Sequence, residues 1–168
     1  MKSKLKHYAK EIILFFVILT VLTNVISLYK SGELNKAPLK QTYIKLLDKQ
    51  IYEYPSSKPL MIHFWATWCP VCSLEASNIQ AISKDYEVLT VAVKSNKDEI
   101  KKYLKDNKLD FKVVNDKNGI MASEFNIQAY PTTFIYDKNK KLIFSEVGYT
   151  SLFGLWIRMW WTSLSNRA

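Results

Sequence analysis

The 168-residue chain has two cysteines, Cys69 and Cys72, with two residues between them. A loop so short constrains the unfolded chain little, so this pair is no staple between distant segments. Its value lies in reactivity, either thiol-disulfide exchange or metal ligation. The flanking residues restrict the fold further. An apolar run over residues 60–66 leads into the pair, and Pro70 follows Cys69 directly. Proline suits the first helical position, because its missing N–H would have no partner there. The chain therefore passes from a buried strand into a helix at this point, with Cys69 as the N-cap. A thiol so placed meets unpaired N–H groups and the positive end of the helix dipole, which favour its thiolate. Cys69 is thus the nucleophile, and Cys72, one turn inside the helix, resolves the mixed disulfide.

Around this centre, strand-like and helical patterns alternate. The run at 60–66, a helix over 70–84 and a strand over 88–93 make a βαβ unit. A charged amphipathic helix over 97–107, a strand over 111–114, a turn at Asn118-Gly119 and a short helix over 120–125 follow. Two β-rich runs, 132–136 and 142–147, flank the polar segment Asp137-Lys138-Asn139-Lys140, which suits a hairpin turn. A final helix is expected over 151–164. With 48% apolar residues, the length allows one globular domain with its own core plus a short appendage.

The appendage lies at the N-terminus. Residues 12–28, IILFFVILTVLTNVISL, carry no charge, and as a helix they reach about 25 Å, near the lower limit for crossing a bilayer. No small-x-small cleavage site follows, so the stretch reads as a retained anchor rather than a removed signal. The preceding lysines orient it with the N-terminus in the cytoplasm. Expected boundaries are a basic cytoplasmic segment 1–11, an anchor 12–29, a tether 30–41 and a catalytic domain 42–168 beyond the membrane. The net charge of +9 does not indicate nucleic-acid binding. Lys2, Lys4, Lys6 and Lys10 against Glu11 account for +3 of it, and the lysines between Lys94 and Lys117 are interleaved with Asp98, Glu99, Asp106, Asp110 and Asp116.

The segment Phe64-Trp65-Ala66-Thr67-Trp68-Cys69-Pro70-Val71-Cys72 resembles the active-site segment of the thioredoxin superfamily, and Tyr130-Pro131-Thr132 resembles that family's second motif. The resemblance implies an α/β thioredoxin-like fold, a central mixed sheet flanked by helices, here preceded by one transmembrane helix. It implies a cis peptide bond before Pro131, with that proline against the two cysteines, and Trp68, Pro70, Tyr130 and Thr132 in contact with substrate. The anchor, the WATWC segment and Glu75 resemble the membrane-tethered periplasmic branch that includes the cytochrome c maturation thioredoxins. The end of the chain, Gly148-Tyr149-Thr150-Ser151 and Gly154-Leu155-Trp156-Ile157-Arg158, looks most like the suppressor-of-copper-sensitivity D group. That group implies a disulfide reductase or exchange protein of the inner membrane and periplasm. Its setting would be copper stress, its electrons would come from a membrane protein, its substrates would be protein thiols and disulfides, and it would need no cofactor beyond the redox-active Cys69–Cys72 disulfide.

Two residues have alternative readings. His63 stands where thioredoxin has a buried aspartate; it either takes a proton during resolution at Cys72 or is an inert, hydrogen-bonded rim residue. Glu75, three residues after Cys72, either moves protons and selects substrates near the thiols or complements the helix N-terminus. The final helix is apolar nearly all round, with Trp156, Trp160 and Trp161, so one face packs on the sheet and the surplus either stays exposed or meets a membrane surface. A competing function is a Cu(I)-handling module built on the cysteine pair. It lacks ligands, because the chain has only His7, on the cytoplasmic side of the expected anchor, and His63, and no histidine follows Cys72. No metal site is expected.

Overall fold

A strand that is apolar on both faces, as residues 60–65 are apart from His63, needs cover on each side. The computed structural model describes residues 2–165, apart from the side chains of residues 2–7, 9, 16, 19, 20, 23, 24, 26 and 28. In chain order the elements are α1 (Lys2–Gly32), β1 (Tyr43–Lys45), β2 (Ile51–Glu53), β3 (Leu60–Trp65), α2 (Pro70–Asp85), β4 (Glu87–Val93), α3 (Lys97–Asp106), β5 (Lys112–Asp116), α4 (Ile120–Glu124), β6 (Thr132–Tyr136), β7 (Leu142–Val147) and α5 (Leu152–Ser165). The main sheet runs β5-β4-β3-β6-β7, which puts the apolar run at its centre, and β1-β2 form a separate antiparallel pair.

β3 lies parallel to β4, with Ile62 opposite Leu89, and antiparallel to β6, with Ile62 opposite Phe134. β5 continues the parallel half, and β7 the antiparallel half. The mixed sheet expected from the sequence is therefore present. Side chains alternate between its two faces. Met61 and Trp65 pack with Cys69, Cys72, Ile79 and Ile82 of the α2 region, Ile100 of α3, and Leu155 and Met159 of α5. Ile62 and Phe64 pack on the other face with Met121, Ala122 and Leu34. β4, like β3, is shielded on both sides, and each face covered at 25 cal/mol per Å² is worth about 2 kcal/mol per large side chain.

The β1–β2 pair was not expected. Its strands are three residues each, and Lys49 between them adopts φ 75°, a conformation that glycine or asparagine would have signalled. Leu47 of its turn donates to the Val113 carbonyl at 2.8 Å, which fixes the pair against β5.

α1 is one helix of 31 residues. Among the described residues no helix is long and apolar enough to cross a membrane. The expected span, residues 12–28, falls partly outside that description at Phe16, Leu19, Thr20, Thr23, Asn24, Ile26 and Leu28. Its described apolar side chains, from Ile12 to Val25, are all about half exposed or more, between 49% and 64%.

Candidate active site

Where β3 ends, Pro70 opens α2 and Cys69 is its N-cap. The Cys72 N–H donates to Cys69 Sγ at 3.1 Å, which satisfies one of the donors a helix start leaves unpaired. Cys69 and Cys72 form a disulfide with Cα atoms 5.2 Å apart. Both are buried, Cys72 more deeply at 2% exposure against 6% for Cys69. In the reduced protein the same N–H and the helix dipole favour a thiolate at Cys69, at about 0.3–1 kcal/mol for the dipole. No lysine or arginine occurs between Lys58 and Lys84, so α2 brings no cation to the pair.

The second motif arrives from β6. The Tyr130–Pro131 peptide bond is cis, as the resemblance implies, and the Tyr130 carbonyl oxygen lies 3.7 Å from Cys69 Sγ. The Gly148 N–H at the end of β7 donates to the Pro131 carbonyl at 2.8 Å, and the Thr132 hydroxyl closes the loop on Ala129 O at 2.8 Å. Gly148 takes φ 100°, which is why a residue without Cβ stands there. Trp68 remains 57% exposed; its Nε1 donates to Lys94 O at 3.3 Å, and its ring meets that of Tyr130 edge-on at 5.8 Å. Of the expected contact residues, Trp68 and Pro70 lie at the surface on either side of Cys69, Tyr130 reaches Cys69 through its carbonyl, and Thr132 is buried behind the loop. Thr67, just before Trp68, is held by Ser95 through both its N–H and its hydroxyl.

Two titratable groups lie in the interior beside this loop. Glu75, one turn past Cys72, is fully buried, and burial pushes its carboxyl up to about 8 against the Thr150 N–H, which lowers it, with Glu146 raising it further. Oε1 accepts that N–H at 3.2 Å, and Oε2 has no partner. At neutral pH the side chain is therefore largely a neutral acid, so it adds no anionic charge at the helix N-terminus. Thr150 and Glu146 are tied together by the Thr150 hydroxyl at 3.0 Å, and Glu146 is paired with Arg158 of α5. His63 is buried on the sheet face that carries Cys72, and its Nδ1 meets the Thr133 hydroxyl at 2.9 Å. Burial lowers its imidazole to about 3, so it is neutral at physiological pH.

Sequence reasoning missed Thr150, Glu146, Thr133 and Ser95 as partners. No local signal links them to the motif, since each meets its partner only through the fold. Among the described residues no group of three or more His, Cys, Asp or Glu could hold a metal ion.

Comparison with known proteins agrees with this geometry. A "Thioredoxin-like protein" of Haemophilus influenzae is 30% identical over 160 residues, 94% of each chain. The "Thiol:disulfide interchange protein DsbE" of Vibrio cholerae is 27% identical over 106 residues, 62% of this chain and 56% of that one. Among solved structures, a secreted Mycobacterium tuberculosis disulfide oxidoreductase, described as homologous to E. coli DsbE, superposes with a TM-score of 0.61. It shares 19% identity and covers 71% of this chain and 94% of its own, which speaks for the fold. Residues 34–145, from the end of α1 to β7, match the AhpC/TSA family. The chain belongs to the AhpC/TSA family, as a thioredoxin-like member with its cysteine pair at the start of α2.

Proposed function

We propose that this thiol-disulfide oxidoreductase is anchored in the inner membrane by α1 and works in the periplasm, reducing or exchanging disulfides of other envelope proteins. The observation that carries the chemistry is the cap: Cys69 Sγ accepts the Cys72 N–H at 3.1 Å, with the Tyr130 carbonyl 3.7 Å away and the Pro131 loop beside it. In the reduced protein the Cys69 thiolate attacks a substrate disulfide, forms a mixed disulfide and expels one substrate thiolate. Cys72 then loses its proton and attacks Cys69 Sγ, which releases the second substrate thiolate and leaves the Cys69–Cys72 disulfide. Two electrons pass to the substrate, the proton lost by Cys72 goes to one substrate thiolate, and the other takes its proton from solvent. A membrane protein carrying a dithiol restores the reduced pair by the reverse exchange.

In this reading Glu75 takes the Cys72 proton in its ionised form, the minority form at neutral pH. A carboxyl pushed up to about 8 is close to an ordinary thiol, so transfer between them is near balance at neutral pH. The absence of lysine and arginine between Lys58 and Lys84 supports a reducing couple, nearer about −270 mV than about −120 mV.

The anchor reading is supported by the run of apolar side chains on α1, including Ile13, Val17, Val21 and Val25, each more than half exposed. Such an area is costly in water and at home in lipid. The copper-stress setting follows the resemblance at residues 148–158 and belongs to the same proposal.

A membrane-impermeant thiol label, applied after the outer membrane is opened, is expected to reach reduced Cys69. Labelling only after inner-membrane lysis refutes the periplasmic placement. Equilibration with glutathione reads the direction, and a potential near that of a strong oxidant, about −120 mV, refutes the reductase reading. Deletion of the gene is expected to lower copper tolerance, and unchanged tolerance removes the copper setting.

A further inference from the structure

The last turns of α1 are seated on the redox domain. Ser27 Oγ accepts the N–H of Val147, the final residue of edge strand β7, at 3.3 Å. Ser31, one turn on along the same face, is buried at 7% exposure, as is Leu34 beyond it. The chain leaving the helix is held on the other side of this contact. The Asn35 N–H donates to Phe125 O at 3.2 Å, Asn35 Nδ2 to Glu124 O at 2.8 Å, and Asn126 Nδ2 to Glu33 O at 3.2 Å. The helix is continuous from the apolar stretch to Gly32, so no flexible segment separates that stretch from the domain.

Val147 lies at the end of β7 that carries the disulfide. Its neighbour Gly148 donates to Pro131 O at 2.8 Å, and the Tyr130 carbonyl is 3.7 Å from Cys69 Sγ. With adjacent Cα atoms 3.8 Å apart, these few steps place Cys69 within about 20 Å of Ser27. After Ser27 the chain descends along the sheet. The Leu39 N–H reaches Lys140 O, in the turn at the opposite end of β7. α1 therefore arrives from the pole of the domain that carries the disulfide, and the β6–β7 turn points the other way.

Resting on the anchored reading above, we infer that the docking of α1 on β7 turns the disulfide pole toward the bilayer. The substrate class is then restricted to disulfides and dithiols that other proteins present close to the outer surface of that membrane. Cysteines carried far from the membrane surface are out of reach. Trp68, Val71, Leu74 and Tyr149, all exposed around the cysteine pair, form the surface that such a partner meets.

The test uses the full chain reconstituted in phosphatidylethanolamine–phosphatidylglycerol vesicles with a headgroup-linked acceptor dye. A donor dye is placed on Cys69 in Cys72→Ala, or on Asn139→Cys in Cys69→Ser/Cys72→Ser, at the opposite pole. Because β7 separates the two sites by about 20 Å, energy transfer to the lipid surface is expected to be several-fold stronger from Cys69. Inserting about a dozen Gly and Ser residues between Leu28 and Tyr29 is expected to abolish that difference. Equal transfer from both sites, or stronger transfer from position 139, overturns the inference. A difference that survives the insertion overturns the role of docking. Extraction of the chain by alkaline carbonate overturns the anchored reading and this inference with it. Retention in the membrane with equal transfer overturns this inference alone. Ser27→Cys/Val147→Cys in the cysteine-free background reads the contact without lipid: a spontaneous disulfide in detergent is expected, and none forming overturns the docking.

Discussion

Replacing Glu75 by glutamine removes a titrating group from the interior and keeps its shape, and the two buried titratable groups near the disulfide set the result. Glu75 is held up to about 8, against an ordinary 4.5. Between those values the folded protein binds a proton that the unfolded chain has released, so its contribution is complete below pH 4.5 and is lost as pH rises through 8. His63 is held down to about 3, against 6.5. Between those values the folded protein lacks a proton that the unfolded chain binds, so its contribution is complete above 6.5 and is lost as pH falls toward 3. Each proton is worth about 1.4 kcal/mol per pH unit. From pH 4.5 to 6.5 the two slopes oppose and cancel, and from 6.5 to 8 the Glu75 slope acts alone. Relative to wild type, Glu75→Gln is therefore expected to gain stability steadily from pH 5 to 8, by about 4 kcal/mol in all. The variant should rise in stability up to pH 6.5 and then level off, where wild type declines. Urea unfolding of the oxidised full chain in detergent, followed by tryptophan fluorescence at half-unit pH steps, measures this. Two pH profiles that run parallel within about 0.5 kcal/mol would refute a neutral, buried Glu75.

Cys69→Ser is expected to abolish disulfide reductase activity and partner adducts, whereas Cys72→Ser accumulates adducts visible on non-reducing gels; equal trapping by the two variants contradicts Cys69 as nucleophile. Thr133→Val leaves the buried His63 ring without its hydroxyl partner at 2.9 Å, for an expected loss of about 1–3 kcal/mol in urea unfolding. A change below about 0.5 kcal/mol would show that the bond does not matter. Trp68→Ala removes a side chain that is 57% exposed, so stability should move by less than about 1 kcal/mol. Reduction of a protein disulfide should slow while reduction of a small aromatic disulfide stays near wild type, and an equal loss on both would contradict a substrate-contact role.

How much of this could be read from the chain depends on how local the determinant is. β6 and β7 have the bounds expected of them, because each is an apolar run cut off by strong punctuation: Pro131 before one, Asp137 to Lys141 between them, Gly148 after the other. The start of α2 was equally plain, fixed by Pro70. β5 instead runs on to Asp116, past the expected end at 114. Asp116 looks like a turn residue, but its carboxylate accepts the N–H groups of Met121 and Ala122 at 3.2 and 2.8 Å, a capping role that appears only once α4 has folded back. Glu75 was singled out by its spacing from Cys72. Its protonation depends on burial and on Thr150, 75 positions away, and no pattern in the chain joins those two.

The outer strands of the sheet are guarded by parts of the chain outside the central core of strands and helices. β5 is covered where Leu47 donates to Val113 O, and β7 where Ser27 takes the N–H of Val147. An uncovered strand edge is a template for pairing with another chain. A water-soluble fragment that begins at residue 42 keeps the first guard and loses the second. Its β7 edge is then open to pairing with a strand of another chain, so α1 doubles as a guard of the sheet's edge.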